Sequence, residues 1–338
     1  MTSSLQLCEY QKINELLNYD LSGKSFLITG ANGLIGSYLV DYLDFVGANV
    51  YAMSRSIEKL KKRFQNKTNV KLIEQDLNEP INIDIAFDYV IHTASNSHPL
   101  AFSKDPVGTM KTNLFGTINL LEHIKNRGGK FLYLSSGEVY GNNIDHDFTE
   151  EDLGIVDTKI ARSCYPESKR AAETLCVSYN AQYGVDVNVT RLCYVYGPTI
   201  TDDNSRADAQ FLRNALDNKD IIMKSKGEQK RTYCYVADAV SALLFILLNG
   251  ENAQVYNIAN PNSIVSVAQY AKTLADIAKV NLKFELPDEV EAKGYSKQAD
   301  SILSAQKLIN LGWEPLYNIE QGLNNTIKIK RELECLKV

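Results

Sequence analysis

The sequence predicts an α/β protein, a doubly wound parallel sheet that carries a smaller mixed α/β lobe toward its C-terminal side. Three observations predict it. Short runs that are apolar throughout alternate with helix-length segments from residue 24 to residue 193, and strands buried on both faces read this way only in parallel sheets covered by helices. A glycine-rich turn joins the first strand of that alternation to the first helix. After Gly197-Pro198 the alternation loosens into helices separated by very short apolar runs.

Taken in order, Leu5–Leu17 has apolar residues at roughly helical spacing, so a short amphipathic helix is expected within an N-terminal extension of residues 1–20. Strands are expected at Lys24–Thr29, Asn49–Met53, Val70–Glu74, Tyr89–Thr93, Lys130–Ser135 and Val185–Cys193. The helices between them are expected at Gly33–Phe45, Ser56–Phe64, Pro106–Asn126 and Pro166–Tyr183. Beyond them, helices are expected at Ala207–Asn218, Val236–Leu248, Val265–Lys279 and Ile319–Glu334, with short strands at Ile221–Met223 and Val255–Ile258. This divides the chain into a dinucleotide-binding domain over residues 21–194 and a mainly substrate-binding lobe over 195–338. The lobe would close over the carboxyl ends of the strands, where ligands bind in such sheets.

Composition narrows the partners. A chain of 338 residues can bury a sizeable core. Its net charge is −5 and no basic block tracks along it, so nucleic acid is not an expected partner. The longest apolar runs, such as Ala242–Leu248, are too short to cross a bilayer. The opening MTSSLQLCEYQKINELL lacks the basic stretch and apolar core of a secretory signal. Six cysteines are scattered without a C-x-x-C pair, so reduced thiols and a cytoplasmic setting are expected rather than a disulfide framework or a zinc site. The histidines at 92, 98, 123 and 146 show no metal-ligand spacing.

The turn reads Gly30-Ala31-Asn32-Gly33-Leu34-Ile35-Gly36. Glycine here permits a tight turn, close approach of backbone to a pyrophosphate and close helix–strand packing. The free N–H groups and positive dipole end of the helix attract phosphate. This strand–turn–helix context makes a Rossmann-type dinucleotide site the expectation. An acidic residue after the second strand would serve the free ribose 2′-hydroxyl of NAD. Here that strand ends Met53-Ser54-Arg55, without a carboxylate. Ser54 and Arg55 suit a 2′-phosphate, so NADP(H) is expected before NAD(H), although Arg55 also begins a solvated basic helix. Asp76, after the third strand, is placed either to accept from the adenine amino group or to cap its own loop.

Tyr165 and Lys169 lie four residues apart at the start of a predicted helix and so share one face. A free tyrosine has a pKa of about 10, and lowering it to about 7 takes roughly 4 kcal/mol of differential stabilisation. The Lys169 ammonium together with the positive ring of an oxidised nicotinamide is the expected source. Tyr165 would then exchange a proton with a sugar hydroxyl as hydride moves. Ser136, at the end of the fifth strand, could bond the same oxygen.

Eight strings in this order resemble the extended short-chain dehydrogenase/reductase family, in its epimerase/dehydratase branch. They are TGANGLIG (29–36), VIHTAS (90–95), NLFGTINLLE (113–122), SSGEVYG (135–141), YPESKRAAE (165–173), RLCYVYGP (191–198), RTYCYVADAV (231–240) and LGWEP (311–315). The resemblance implies an enzyme acting on a nucleotide-linked sugar. It implies that Leu77, Thr93, Ala94 and Ser95 help line the cofactor site, that Lys169 holds the nicotinamide ribose, and that Asn113 positions the site through its helix. Arg231 matches the arginine that grips the substrate diphosphate, with Arg206 a second candidate. Glu138 falls where sugar 4,6-dehydratases and UDP-glucuronate decarboxylases carry a second acid/base.

Two departures stand out. Gly137 replaces the aspartate of many sugar dehydratases, and Tyr194 replaces an asparagine that usually contacts substrate. Relatives also pair through two helices, which implies a homodimer. Three readings stay open. The first is an epimerase, dehydratase or decarboxylase that recycles its cofactor, supported by Glu138. The second is a net NADPH-dependent reductase of a nucleotide-linked ketose or keto-sugar, supported by Gly137 and the missing acid after the second strand. The third is a cofactor-sensing scaffold, which the presence of both Tyr165 and Lys169 disfavours.

Overall fold

Seven parallel strands form the central sheet of the protein, whose computed structural model describes residues 2–141, 146–285 and 300–335. In chain order the strands are β1 (Ser25–Thr29), β2 (Asn49–Ser54), β3 (Val70–Glu74), β4 (Tyr89–His92), β5 (Lys130–Ser136), β6 (Asp186–Leu192), β7 (Tyr194–Tyr196), β8 (Ile221–Met223), β9 (Lys230–Tyr235), β10 (Val255–Ile258), β11 (Ile264–Ser266) and β12 (Leu282–Phe284). The main sheet runs β10-β6-β5-β4-β1-β2-β3. Its order reverses at β1, which pairs with β2 on one side and β4 on the other. Open α/β sheets bind ligands at such a switch point.

Helices α1 (Ser4–Leu17), α2 (Leu34–Phe45), α3 (Ile57–Phe64), α4 (Pro99–Lys104), α5 (Pro106–Arg127) and α6 (Cys164–Tyr183) belong to the first half, and α7 (Ala207–Leu216), α8 (Val236–Asn249) and α9 (Val267–Ala278) to the second. Their ends follow local chemistry. Ser3 and Gln6 form a capping box on α1. Pro106 opens α5, and the Asp105 side chain accepts from the Gly108 N–H. Gly184 closes α6 in the left-handed region at φ 71°.

Of the elements that differ from the sequence expectation, three set the boundary between the layers. Val255–Ile258, expected among the helices of the C-terminal lobe, is the edge strand of the main sheet, paired in parallel with β6 from Val255↔Val189 to Ile258↔Leu192. The preceding helix α8 packs against β5, β6 and α2, so the chain returns to the first layer after leaving it. The strand expected through Cys193 ends at Leu192, and β7 turns away to pair with β9 in a three-stranded sheet with β11. The helix expected from Val265 starts at Val267, because Ile264–Ser266 pairs with β9 and Ser266 caps α9.

The face of the smaller sheet is packed with tyrosines. Tyr233 stacks on Tyr270 with centroids 4.5 Å apart, and Tyr196 meets Tyr235 at 5.7 Å. Glu9 of α1 is fully buried and accepts from Tyr38 of α2 at 2.7 Å, Tyr235 of β9 at 2.8 Å and Asn325 at 2.8 Å. The carboxylate thus joins the glycine-turn helix to the strand that carries Arg231.

Candidate active site

The glycine turn is built so that no side chain fits. Gly30 has φ +64°, and a Cβ there would fall 2.8 Å from the Ala94 backbone and from Thr93 Oγ1. At Gly36 a Cβ would fall 2.4 Å from the Gly30 carbonyl oxygen. Gly33 is the N-cap of α2 and has no side-chain cap bond, so the amides of Leu34, Ile35 and Gly36 at the helix start are left for an anion. The residues present therefore fit a dinucleotide pyrophosphate. Thr199 Oγ1, from the loop after β7, donates to Leu34 O at 2.7 Å and ties the second lobe to this turn.

Around the turn, Asn32 Nδ2 donates to Ser54 Oγ at 2.9 Å, and Ser54 Oγ donates to Ser56 O at 3.1 Å. Arg55 is exposed beside it. Asp76 is exposed and accepts from both the backbone and the side chain of Asn78 at 3.0 Å, while Leu77 is buried. Thr93 Oγ1 donates to Thr29 O at 2.7 Å, and the Ala94 amide donates to Thr29 Oγ1 at 3.3 Å. Ser95 Oγ donates to Asn113 Oδ1 at 2.8 Å. Asn113, fully buried, donates to Ser168 Oγ at 2.8 Å, which in turn donates to Tyr165 O at 3.0 Å. Asn113 thereby ties the end of β4 to the backbone of Tyr165.

Tyr165 opens α6 within a compact cluster. The Ser136 side chain acts on its hydroxyl, and Ser136 Oγ accepts the Glu138 N–H at 3.2 Å. Glu138 forms an ion pair with Arg162 at 2.6 Å. The Arg162 guanidinium lies 4.3 Å from the Phe102 ring centroid, and Phe102 stacks on Tyr165 with centroids 5.4 Å apart. Arg162 and Phe102 were not singled out in the sequence. The available signal for Arg162 was its place three residues before Tyr165; Phe102 gave none, because stacking is set by how α4 folds over α6.

The electrostatics depart from the sequence expectation. Burial, with Glu138 adding to it, pushes the Tyr165 phenol up to about 12 against the Ser136 bond, Arg206 and Arg162. Burial draws Lys169 down to about 7, with Glu173 and Cys176 opposing. Lys169 Nζ donates to Leu134 O at 2.6 Å and sits 4.7 Å from the Tyr133 ring centroid. Ser136 and the two arginines act to acidify the phenol. An oxidised nicotinamide supplies, when bound, a positive charge beyond those of the chain.

The expected substrate residues converge on the same cleft. Arg231 lies over the Tyr194 ring at 4.5 Å. Burial raises Tyr194, while Arg231 and Arg206 act to lower it and Glu138 to raise it. Arg206 Nη2 donates to Ser97 O at 2.9 Å, and Ser205 Oγ accepts the Leu100 amide at 3.1 Å, so the segment that carries Phe102 is stitched to the second lobe.

A dinucleotide turn at a sheet switch point, with a serine, tyrosine and lysine cluster below it, defines an oxidoreductase of the short-chain dehydrogenase type. The NAD dependent epimerase/dehydratase family model matches residues 26–259, and the chain belongs to that family. It is an NAD(P)-dependent enzyme of the nucleotide-sugar epimerase, dehydratase and decarboxylase type. The chain is 34% identical over 315 residues to UDP-glucuronic acid decarboxylase 1 of Xenopus tropicalis, covering 92% of this chain and 73% of that one. It is 33% identical over 308 residues to UDP-glucuronic acid decarboxylase 6 of Arabidopsis thaliana, covering 89% and 87%. Among solved structures it is similar to UDP-glucose 4-epimerase of Thermotoga maritima, with TM-score 0.77, 27% identity and 91% and 99% coverage. Among the described residues no helix is long and apolar enough to cross a membrane.

Proposed function

We propose that the protein oxidises a nucleotide-linked sugar at a ring hydroxyl and restores its dinucleotide within the same turnover, with UDP-glucuronic acid the first substrate to test. The observation that carries this reading is the Glu138–Arg162 ion pair, 2.6 Å long, beside Tyr165 and the Ser136 side chain that acts on its phenol. Tyr165 Oη would take the proton of the sugar hydroxyl as the carbon-bound hydrogen leaves as hydride, with Ser136 Oγ holding the same oxygen. A ketone made next to a carboxylate-bearing carbon weakens the bond to that carboxylate, so carbon dioxide would leave with the bonding pair passing into an enolate, which would take a proton at carbon before hydride returns to the ketone. Arg162 would hold an anionic group on the sugar, and Glu138 would handle a second proton. Lys169 would hold the nicotinamide ribose, and Arg231 and Arg206 the diphosphate.

For the dinucleotide we infer NADP(H). A serine and an exposed arginine follow β2 without a carboxylate, and α3 carries Lys59, Lys61, Lys62 and Arg63. We also infer a homodimer formed by α5 and α6, whose apolar Val107, Phe115 and Val177 are exposed. Residues after Tyr194 would supply most of the substrate lobe.

The test is to release bound dinucleotide with acid, identify it, and incubate the enzyme with a panel of nucleotide sugars. Carbon dioxide and a nucleotide pentose should form from UDP-glucuronic acid without net redox change. Sustained consumption of added NADPH by a nucleotide-linked keto-sugar would instead establish the net reductase, a reading favoured by Arg55 and by the absence of a side chain at Gly137.

A further inference from the structure

We propose that Glu173 is a positioning residue that keeps the Lys169 side chain charged, and that Arg191 sets how much of the glutamate's charge the lysine feels.

Lys169 is buried, with 3% of its surface exposed. Its ammonium has one carbonyl partner, Leu134 O, and one aromatic face, Tyr133. Neither carries the negative charge that a desolvated ammonium requires. The titratable groups facing it can be taken element by element. From β4 comes His92, which burial drives down to about 3 and leaves neutral. From β5 comes Tyr133, which burial pushes up and leaves protonated. From α6 itself come Tyr165, pushed up to about 12, and Cys176, whose thiol burial also raises. Glu173, four residues beyond Lys169 and on the same helix face, is the one carboxylate among the groups that act on the lysine.

Glu173 is held in place by more than α6. Arg191 of β6 grips it with Nε at 3.2 Å from both carboxylate oxygens and Nη2 at 2.8 Å from Oε2. Ser135 Oγ donates to its Oε1. Arg191 is itself fixed, through Nη1 to Tyr140 Oη at 3.0 Å and to Glu150 O at 3.3 Å. The buried cluster therefore sets Arg191 directly on the carboxylate, with Lys169 one helical turn before Glu173 on the same face. Removing the carboxylate leaves two largely buried cations in this region without the negative charge that offsets them. Removing the guanidinium leaves the carboxylate only the Ser135 hydroxyl as a direct partner and more of its charge for the lysine. The two halves of a single ion pair should thus move Lys169 in opposite directions. A merely structural role predicts the same loss from both. The relevance to turnover rests on the function proposed above, but the charge effect itself does not.

The titration of Lys169 tests this directly. In protein carrying ε-13C lysine, the Lys169 signal is assigned by its disappearance in Lys169→Met and followed against pH. In Glu173→Gln the midpoint should fall by about one unit or more, and in Arg191→Gln it should rise by about as much, the scale of a nearby charge. Glu173→Asp and Arg191→Lys keep the charges and should titrate close to the parent. If either glutamine variant does not fold, the other still decides by the sign of its shift. Shifts of the same sign in both, or a midpoint unmoved in a folded variant, would overturn the proposal. The pH limb of turnover with nucleotide sugar should move in the same two directions. Opposite NMR shifts with no turnover on any nucleotide sugar would sink the proposed function and leave the charge effect standing.

Discussion

Gly137 offers a prediction whose size can be worked from the structure. A Cβ at this position would lie 3.0 Å from both δ-methyls of Leu303 and 3.4 Å from Leu192 O. Leu303 is 3% exposed, and its amide donates to Thr232 Oγ1 at 3.1 Å, so its backbone cannot retreat freely. It packs in one cluster with Val139, Tyr140 and Phe148. Forcing a methyl into such a core costs about 1–3 kcal/mol. An unfolding entropy of about 2.1 cal/mol/K per residue implies about 1.4 °C of Tm per kcal/mol for a chain of this length. Gly137→Ala should therefore lower Tm by about 1.5–4 °C. Leu303→Ala alone should cost about 2–5 kcal/mol through the cavity it leaves. The double variant should be more stable than the sum of the singles by about 1–3 kcal/mol, because each change relieves the other. Urea denaturation of the four proteins gives that coupling energy. An alanine variant as stable as the parent, or strictly additive losses, would refute the steric reading. If the coupling is found, the aspartate of many sugar dehydratases is excluded here by Leu303, a residue far away in the chain.

Other expectations follow from the same geometry. Tyr165→Phe removes the phenol proposed to carry the proton but keeps the Phe102 stack, so turnover should fall by about 10²–10⁴-fold while dinucleotide affinity by calorimetry stays close to the parent. Gly36→Ala drives a Cβ to 2.4 Å from the Gly30 carbonyl, so dinucleotide affinity should fall about tenfold or more from the displaced turn, read by the same titration. Glu9→Ala strands the donors of Tyr38, Tyr235 and Asn325 in the interior, a loss of about 3 kcal/mol or more visible as a lower urea midpoint. Lys169→Met should be more stable than the parent at pH 6, because a lysine held down to about 7 is taken out of water while charged. Its folded value lies below its unfolded one, so the parent gains stability as pH rises from about 7 to about 10.5 and the difference should shrink by up to about 4–5 kcal/mol; a gap that widens with pH would contradict the burial account.

Much of this was legible in the chain because period and spacing are local. The turn from Gly30 to Gly36 is read from one strand end and one helix start, and its three glycines meet backbone where a Cβ would fall. The Tyr165–Lys169 spacing needs only the helical repeat. What was not legible depends on contacts between distant segments. Val255–Ile258 is a strand by composition, but its seat beside β6 is decided by α8 folding back across the sheet. No element is expected at Lys230–Tyr235 from the sequence, and pairing with β7 and β11 makes it a strand. Arg162 and Phe102 have no periodic signature, and their meeting at Tyr165 follows from α4 being pinned to the loop at Ser205. The N-terminal helix was expected from its spacing, whereas the role of Glu9 depends on partners at positions 38, 235 and 325.

The electrostatic balance of the cleft was also hidden, and it bears on how the reaction is controlled. Sequence spacing alone suggested that the lysine acidifies the phenol. Burial instead pushes the two groups toward their neutral forms, Tyr165 up to about 12 and Lys169 down to about 7. A base whose conjugate acid lies five units above neutral pH works at a cost of about 7 kcal/mol. The chain's carboxylates do not reduce that cost, because Glu138 raises the phenol further and Glu173 is engaged by Arg191. Its arginines act in the right direction, yet Arg162 is paired with Glu138 and Arg206 with the Ser97 carbonyl. Any ligand group that draws Glu138 away from Tyr165, or adds positive charge beside it, shifts the phenol toward its working ionisation. The charge pattern of the chain by itself therefore favours the neutral phenol, and ligand charge joins the fixed side chains in setting its ionisation.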